Sequence, residues 1–312
     1  MFSANGSVVA IGGSAGGVES LIRVVAGLPP DLGAPVLAVI HVAPNAESRL
    51  PEILTRAGPL PAQHALDGEE LQPNRIYVAP PDHHLLVRNH QSRVIRGAAE
   101  NGHRPAIDAL LRTAALDYRG GLVAVILSGM LDDGSAGARA VYQLGGAVIV
   151  QDPEDAAFPD MPASAIRSDH PWAVLGIAEI PAEVVRLVSS PPRARADDGS
   201  EDELRLEAAY AAMDRDALER PDVLGARSPF GCPACGGVLW EPPDSAEQLR
   251  FRCRIGHAYG ADSLLGAQDD RLEASLAAGL RALHERADLA RRIGQRLRGA
   301  GAGKRADRYD RL

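Results

Sequence analysis

The sequence contains almost no lysine. Lys304 is the only one among 33 basic residues. The bias to arginine reads as compositional drift, but it has one use: no Gly-Lys-Ser/Thr phosphate loop can be written anywhere in the N-terminal region. Cysteine is also scarce. Cys232, Cys235 and Cys253 are the whole complement. An odd number packed into one short segment is not a disulfide framework. There is no apolar stretch near the ~18 residues that a membrane helix needs. The start, MFSANGSVVAIGG, has no basic segment ahead of a long apolar run, so it is not a signal peptide. These absences predict a cytoplasmic protein without membrane insertion. A net charge of -8 argues against nucleic acid as a partner, because phosphate binding requires a basic surface.

What is present indicates an α/β protein. The 312 residues are 46% hydrophobic, enough to fill a core. Short runs that are apolar throughout (SVVAI, PVLAVIH, LVAVIL and AVIVQD) alternate with segments of helical periodicity such as VESLIRVVAGL, LPEILTRAG, AIDALLRTAALDY and SAGARAVYQLGG. That alternation predicts a largely parallel sheet covered on both faces. The stretch from Arg75 to Arg88 reads instead as an antiparallel hairpin at an edge. MPASAIRS starts a further helix. SSPPRARADDGSEDE is polar and rich in Pro and Asp, the composition of a linker. A charged helix, EDELRLEAAYAAMDRDAL, follows it. The expected domains are residues 1–190, a linker with a short helix over 191–226, a cysteine-bearing module over 227–261, and a helical tail over 262–312.

Gly12-Gly13-Ser14-Ala15-Gly16 follows a strand and precedes a helix. It fits G-x-S-x-G, which sets a serine on a sharp strand-to-helix turn beside the free N–H groups of a helix N-terminus. A dinucleotide fingerprint fails here, because Ser14 stands where its second glycine belongs. A nucleophilic serine needs a base, and the base needs an orienting group. His41 closes the strand PVLAVIH. Asp132 and Asp133 follow LVAVIL across Ser128-Gly129-Met130. The carboxyl ends of parallel strands share one edge, so Ser14, His41 and either aspartate can meet there.

GGSAGG, VIH with Val-Ala-Pro, IYVAPPDHHLLV, RPAIDALL, LSGMLDDGSAG and QDPEDAAFPDMPASAI occur in the order seen in chemotaxis protein-glutamate methylesterases. The chain resembles the catalytic domain of that family from about residue 7 to 190. The resemblance implies a three-layer α/β/α fold and hydrolysis of glutamate methyl esters, with deamidation of glutamine as a second activity. It implies Ser14 as nucleophile, His41 as base, Asp133 rather than Asp132 as the orienting carboxylate, and the backbone N–H of Met130 in the oxyanion hole. No cofactor is implied for catalysis. The implied partners are methylated chemoreceptor-like proteins and a chemosensory methyltransferase or signalling complex. Two departures stand out: no receiver domain is expected ahead of the catalytic one, and Leu131 stands where the family usually has glycine.

Cys232-x2-Cys235, a gap of seventeen, and Cys253-x3-His257 give four ligands in two close pairs. That set suits a closed, tetrahedral, structural zinc site in a small ribbon-like module, with VLWEP and LRFRC forming a hairpin. Beyond it, Leu272, Leu276, Leu280, Leu283, Ala287, Ala290 and Leu297 lie near one helical stripe, which predicts either a docking surface or a face packed on the module. Arg281–Leu312 carries ten Lys/Arg against four Asp/Glu. The alternative to an esterase is a catalytically weak adaptor of a chemosensory pathway.

Overall fold

A computed structural model describes residues 6–45, 47–168, 171–193, 201–219, 225–242 and 248–309. The chain forms two compact units, residues 1–264 and 265–312. The first is built on seven strands: β1 (Val8–Gly13), β2 (Val36–Ile40), β3 (Ala62–His64), β4 (Ile76–Val78), β7 (Leu122–Ile126), β8 (Ala147–Gln151) and β9 (Ala173–Leu175). Every pairing among them is parallel, in the order β3-β4-β2-β1-β7-β8-β9.

The period-2 geometry of a strand divides the core into two. Val8 and Ala10 face one way, onto α3 (Ile107–Tyr118), α4 (Ser135–Gln143) and α5 (Asp160–Ser168). Val9 and Ile11 face the other way, onto α1 (Gly17–Ala26), α2 (Leu50–Ala57) and α6 (Ile180–Val188). β1, β2, β7 and β8 carry no polar side chain except Gln151 at the end of β8, because both of their faces are buried. This is the three-layer α/β/α arrangement with a parallel sheet that the sequence predicts. After β1 the chain winds to one side through β2, and it later returns to the other side through β7. The crevice between the carboxyl ends of β1 and β7 is therefore the topological switch point.

One expectation is corrected. Arg75–Arg88 is not a hairpin. β4 joins the main sheet in parallel, while β5 (His84–Arg88) pairs antiparallel with β6 (Gln91–Ile95) in a separate two-stranded sheet. The turn that the sequence reading missed is Asn89-His90, with φ of 54° and 59°. The Asp117 carboxylate holds it by accepting both backbone N–H groups, at 2.8 and 2.7 Å. Of the expected linker over 191–226, residues 194–200 and 220–224 lie outside the described residues, while Glu201–Ala211 forms α7 and Arg215–Leu218 forms α8.

The first unit also contains a four-stranded antiparallel sheet of β10 (Ala226–Gly231), β11 (Val238–Glu241), β12 (Arg250–Cys253) and β13 (Ala258–Gly260). The expected VLWEP–LRFRC hairpin is the β11–β12 pair. A buried ion cluster fastens this sheet to the α/β layers. Glu100 accepts from Arg112 of α3 at 2.8 Å and from Arg252 of β12 at 3.3 Å, and Glu207 of α7 pairs with Arg112 and Arg250. Burial opposes the charge on Glu100, but the Arg112 and Arg252 guanidiniums hold its carboxyl below the usual range. Removing one partner from such a cluster costs far more than the cluster contributes net, because it leaves a buried charge uncompensated.

The second unit is helical. α9 runs Ala261–Gly299 and α10 Gly303–Ala306. Of the leucine stripe, Leu272, Leu276, Leu280 and Leu283 are exposed, whereas Ala290 is buried. No helix among the described residues is long and apolar enough to cross a membrane.

Candidate active site

Ser14 sits between β1 and α1, at the switch point. Its N–H donates to Ser128 O at 2.9 Å, and its carbonyl accepts from Gly17 at 2.8 Å. The turn closes through Gly16 at φ 70°, the left-handed conformation that glycine adopts without steric cost. The Ser128 hydroxyl braces the turn from β7 by donating to Ala15 O at 2.8 Å. Gly129 passes so close that a Cβ there would meet the Ser14 Cβ at 2.9 Å.

His41 leaves the end of β2, and its N–H donates to Gly13 O at 3.2 Å. Its Nδ1 lies 3.1 Å from Ser14 Oγ, and its Nε2 lies 2.7 Å from Asp133 Oδ2. The imidazole is 6% exposed and the carboxylate 2%, so the pair is shielded from water. With Asp133 as acceptor, the ring carries its proton on Nε2 and leaves the Nδ1 lone pair for the serine hydroxyl.

Asp133 does more than face the imidazole. It accepts backbone N–H groups from Ile107 (2.7 Å), Asp108 (3.1 Å) and Gly134 (3.0 Å), and the Asn101 amide at 2.9 Å. Ile107 and Asp108 open α3, whose own N-cap position, Ala106, supplies no side-chain acceptor. A carboxylate from another part of the chain thus caps that helix and sits in the positive end of its dipole. Burial alone would raise the pKa of Asp133. The His41 hydrogen bond, the His41 and His103 charges and the Ile107 N–H outweigh it and hold the group well below the ordinary carboxylate value.

Residues 9–184 match the family of CheB methylesterases. The chain belongs to the CheB methylesterase family. It is 36% identical over 188 residues to a protein-glutamate methylesterase/protein-glutamine glutaminase of Thermotoga maritima, a stretch covering 59% of this chain and 55% of that protein. It is also 36% identical over 174 residues to a protein of that description from Myxococcus xanthus, covering 55% and 49%. The chain therefore spans about half the length of these curated relatives. The crystal structure of the Thermotoga maritima CheB methylesterase catalytic domain superposes with a TM-score of 0.56 at 36% identity, covering 58% of this chain and 98% of that one.

Within the CheB fold the two adjacent aspartates face different ways. Asp132 does not reach His41. It accepts the N–H groups of Asp262 and Ser263, both at 3.2 Å, and the Ser263 hydroxyl, at the start of α9. Burial pushes its pKa up, and the Ser263 hydroxyl works against that shift. The Met130 N–H meets no acceptor among the described residues. Leu131, beside it, has φ 63°, the left-handed conformation that favours glycine.

Two neighbours were not found from the sequence. The His103 ring stacks on His41 with centroids 3.7 Å apart and planes at 13°. Burial and the His41 charge lower the His103 pKa to about 4. Asn101 donates its amide to Asp133 and also to Asp108 Oδ2 at 2.8 Å. Burial and the Asp133 charge raise Asp108 to about 8, so Asp108 is the carboxyl of the pair that takes a proton first. Asn101-Gly102, with φ of 52° and 78°, forms a tight turn closed by Glu100 and His103. The Asn-Gly pair is a strong turn signal that the sequence reading passed over.

Cys232, Cys235, Cys253 and His257 lie together, with all their ligand atoms within 4.8 Å of one another. A tetrahedral zinc at ordinary bond lengths sets S···S edges of about 3.8 Å and S···N edges of about 3.5 Å. Cys235 Sγ and Cys253 Sγ are 3.7 Å apart, and Cys253 Sγ and His257 Nδ1 are 3.4 Å apart. Both ligand pairs sit on tight turns with a left-handed glycine, Gly236 (φ 74°) and Gly256 (φ 108°). The donor set fits a closed site. It lies beyond the CheB match, which ends at residue 184.

Two outcomes follow from this geometry. Leu131→Gly relieves the left-handed strain and stabilises the chain by about 1 kcal/mol; urea denaturation against wild type measures it, and a loss of stability contradicts the strain. Native His103 gains its proton only near pH 4, whereas an unfolded histidine gains it near 6.5. Between those values the unfolded state binds more protons, so stability falls as pH drops from about 6.5 to about 4. His103→Phe keeps a stacked ring and removes that part of the slope. Unfolding free energies at pH 7 and 4.5 compare the two proteins, and equal slopes would reject the assignment.

Proposed function

We propose that this chain is a serine esterase that removes methyl esters from glutamate side chains of chemoreceptor-like proteins. The observation that carries this reading is the continuous path Ser14 Oγ–His41–Asp133 at the carboxyl edge of the CheB sheet, with separations of 3.1 and 2.7 Å. Ser14 is the nucleophile, His41 the general base and Asp133 the group that fixes the imidazole. His41 Nδ1 takes the hydroxyl proton as Oγ attacks the γ-carbonyl carbon. The developing oxyanion accepts from the Met130 N–H, with the N-terminus of α1 close by. The tetrahedral intermediate collapses, the C–OCH3 bond breaks, and His41 passes its proton to methanol. A water molecule then repeats the sequence on the acyl-enzyme and releases the glutamate carboxylate. Asp133 keeps Nε2–H in place and stabilises the imidazolium in both halves.

A glutamine side chain fits the same path with ammonia leaving, and the printed names of the relatives include protein-glutamine glutaminase. On this reading the chain works in the cytoplasm, on methylated receptors and alongside a chemosensory methyltransferase or signalling complex. Its unit of chemistry is the region 1–190. A structural zinc held by Cys232, Cys235, Cys253 and His257 completes the reading, and it has no part in bond breaking. The left-handed Leu131 beside Met130 favours the second reading, a catalytically weak adaptor.

Incubation with radiolabelled methylated receptor separates the two. Wild type releases methanol, and Ser14→Ala lowers the rate by at least ~10³-fold while keeping its far-UV spectrum. Equal release by both proteins contradicts the esterase; no release by either supports the adaptor.

A further inference from the structure

The turn Glu100-Asn101-Gly102-His103 has two sides. One touches the residues around Asp133, through the His103 ring and the Asn101 amide group. The other touches the antiparallel sheet that bears the cysteine cluster. The Asn101 N–H donates to Ala258 O at 2.7 Å, and the Gly260 N–H donates to Asn101 Oδ1 at 2.8 Å. Glu100 takes the Arg252 guanidinium at 3.3 Å. Arg252 immediately precedes the ligand Cys253, and Ala258 immediately follows the ligand His257. The contacts therefore come from the two strands, β12 and β13, that the Cys253–His257 turn joins.

That turn is short. Its backbone closes through Cys253 N–H to His257 O and Gly256 N–H to Cys253 O, both at 2.9 Å. A metal binding both ends of it fixes where β13 leaves, and so where the Gly260 N–H points. The Gly260 N–H in turn decides the Asn101 amide. It requires the oxygen on its own side, which turns the NH2 group towards Asp108 and Asp133. A second link runs from Asp132, one residue before Asp133, to the start of α9 directly after β13.

We propose that the Cys3His module is a zinc-dependent positioning element of the ester-cleaving site, in which Asn101 passes the constraint of the metal-closed β12–β13 turn to Asp133. This rests on the esterase reading above. Without zinc, β13 loses its fixed exit, the Asn101 amide loses its orienting partner, and Asp133 loses a donor while facing Asp108. His41 is then held less well against Ser14. Asn101 is a positioning residue here; it touches no reacting atom.

The test uses the full chain. Its zinc content is measured, then lowered by a strong chelator under reducing conditions. Far-UV circular dichroism, the rate at which a fluorophosphonate labels Ser14, and methanol release from methylated receptor are followed in parallel. The expected result is one zinc per chain, about a tenfold or greater fall in both rates on chelation with the spectrum kept, and recovery on adding zinc. Asn101→Ala is expected to keep its zinc and lower kcat about tenfold with KM changed less than about twofold.

Unchanged rates after zinc loss would overturn the proposal, as would a chain that binds no zinc, chelation that unfolds the whole protein, or an Asn101→Ala variant altered in stability alone. If the zinc-loaded wild type neither labels nor releases methanol, the esterase reading fails and this inference falls with it. If that protein is active and the zinc-free form equally so, only the coupling fails.

Discussion

A single buried carboxylate organises the site. Asp133 caps α3 from outside the helix, closes its own turn through Gly134, accepts the Asn101 amide and takes the His41 Nε2. Five donors converge on the two oxygens of a carboxylate that is only 2% exposed. An aspartate so surrounded keeps its charge where burial alone would remove it. That charge selects the imidazole tautomer, and the tautomer decides which nitrogen faces Ser14. The same contacts tie a helix N-terminus on one face of the sheet to a strand end at its edge, so the chemistry and the packing share one anchor.

The parallel sheet supplies the rest of the geometry. β1, β2 and β7 each end at the same edge, and each delivers one part: Ser14, His41, and the loop of Met130 to Asp133. Strand ends held in register by ladder hydrogen bonds place side chains more tightly than a long loop could. Left-handed backbone at Gly16 and Leu131 turns the chain sharply in the loops that follow β1 and β7.

The layers were legible because four strands are apolar on both faces, a pattern that only a covered parallel sheet explains. Ser14 and His41 were legible because each closes or follows such a strand. Between Asp132 and Asp133 the residues alone left the choice open. Family resemblance pointed to Asp133, and in the structure that is the residue facing His41, while Asp132 faces Ser263. Asn101 and His103 were not legible: their partners lie 32 and 62 residues away in the chain, and nothing periodic links them. The β4 strand was expected but given the wrong partner: it pairs with β2 and β3 rather than with β5, and three residues carry no local pattern that sets that choice. The Cys232, Cys235, Cys253 and His257 set was visible from spacing, but the Arg252–Glu100 and Asn101–Gly260 contacts that join its sheet to the site are tertiary and leave no local trace.

His41 links Ser14 to Asp133 through a defined tautomer, with Nε2 towards the carboxylate and Nδ1 towards the hydroxyl. Nitrogen-15 NMR of the histidine-labelled chain near neutral pH tests it directly, with His41→Gln used to assign the signal. The expected spectrum shows a protonated Nε2, with its proton far downfield from the bond to Asp133, and an unprotonated Nδ1. A neutral ring protonated on Nδ1 would contradict it.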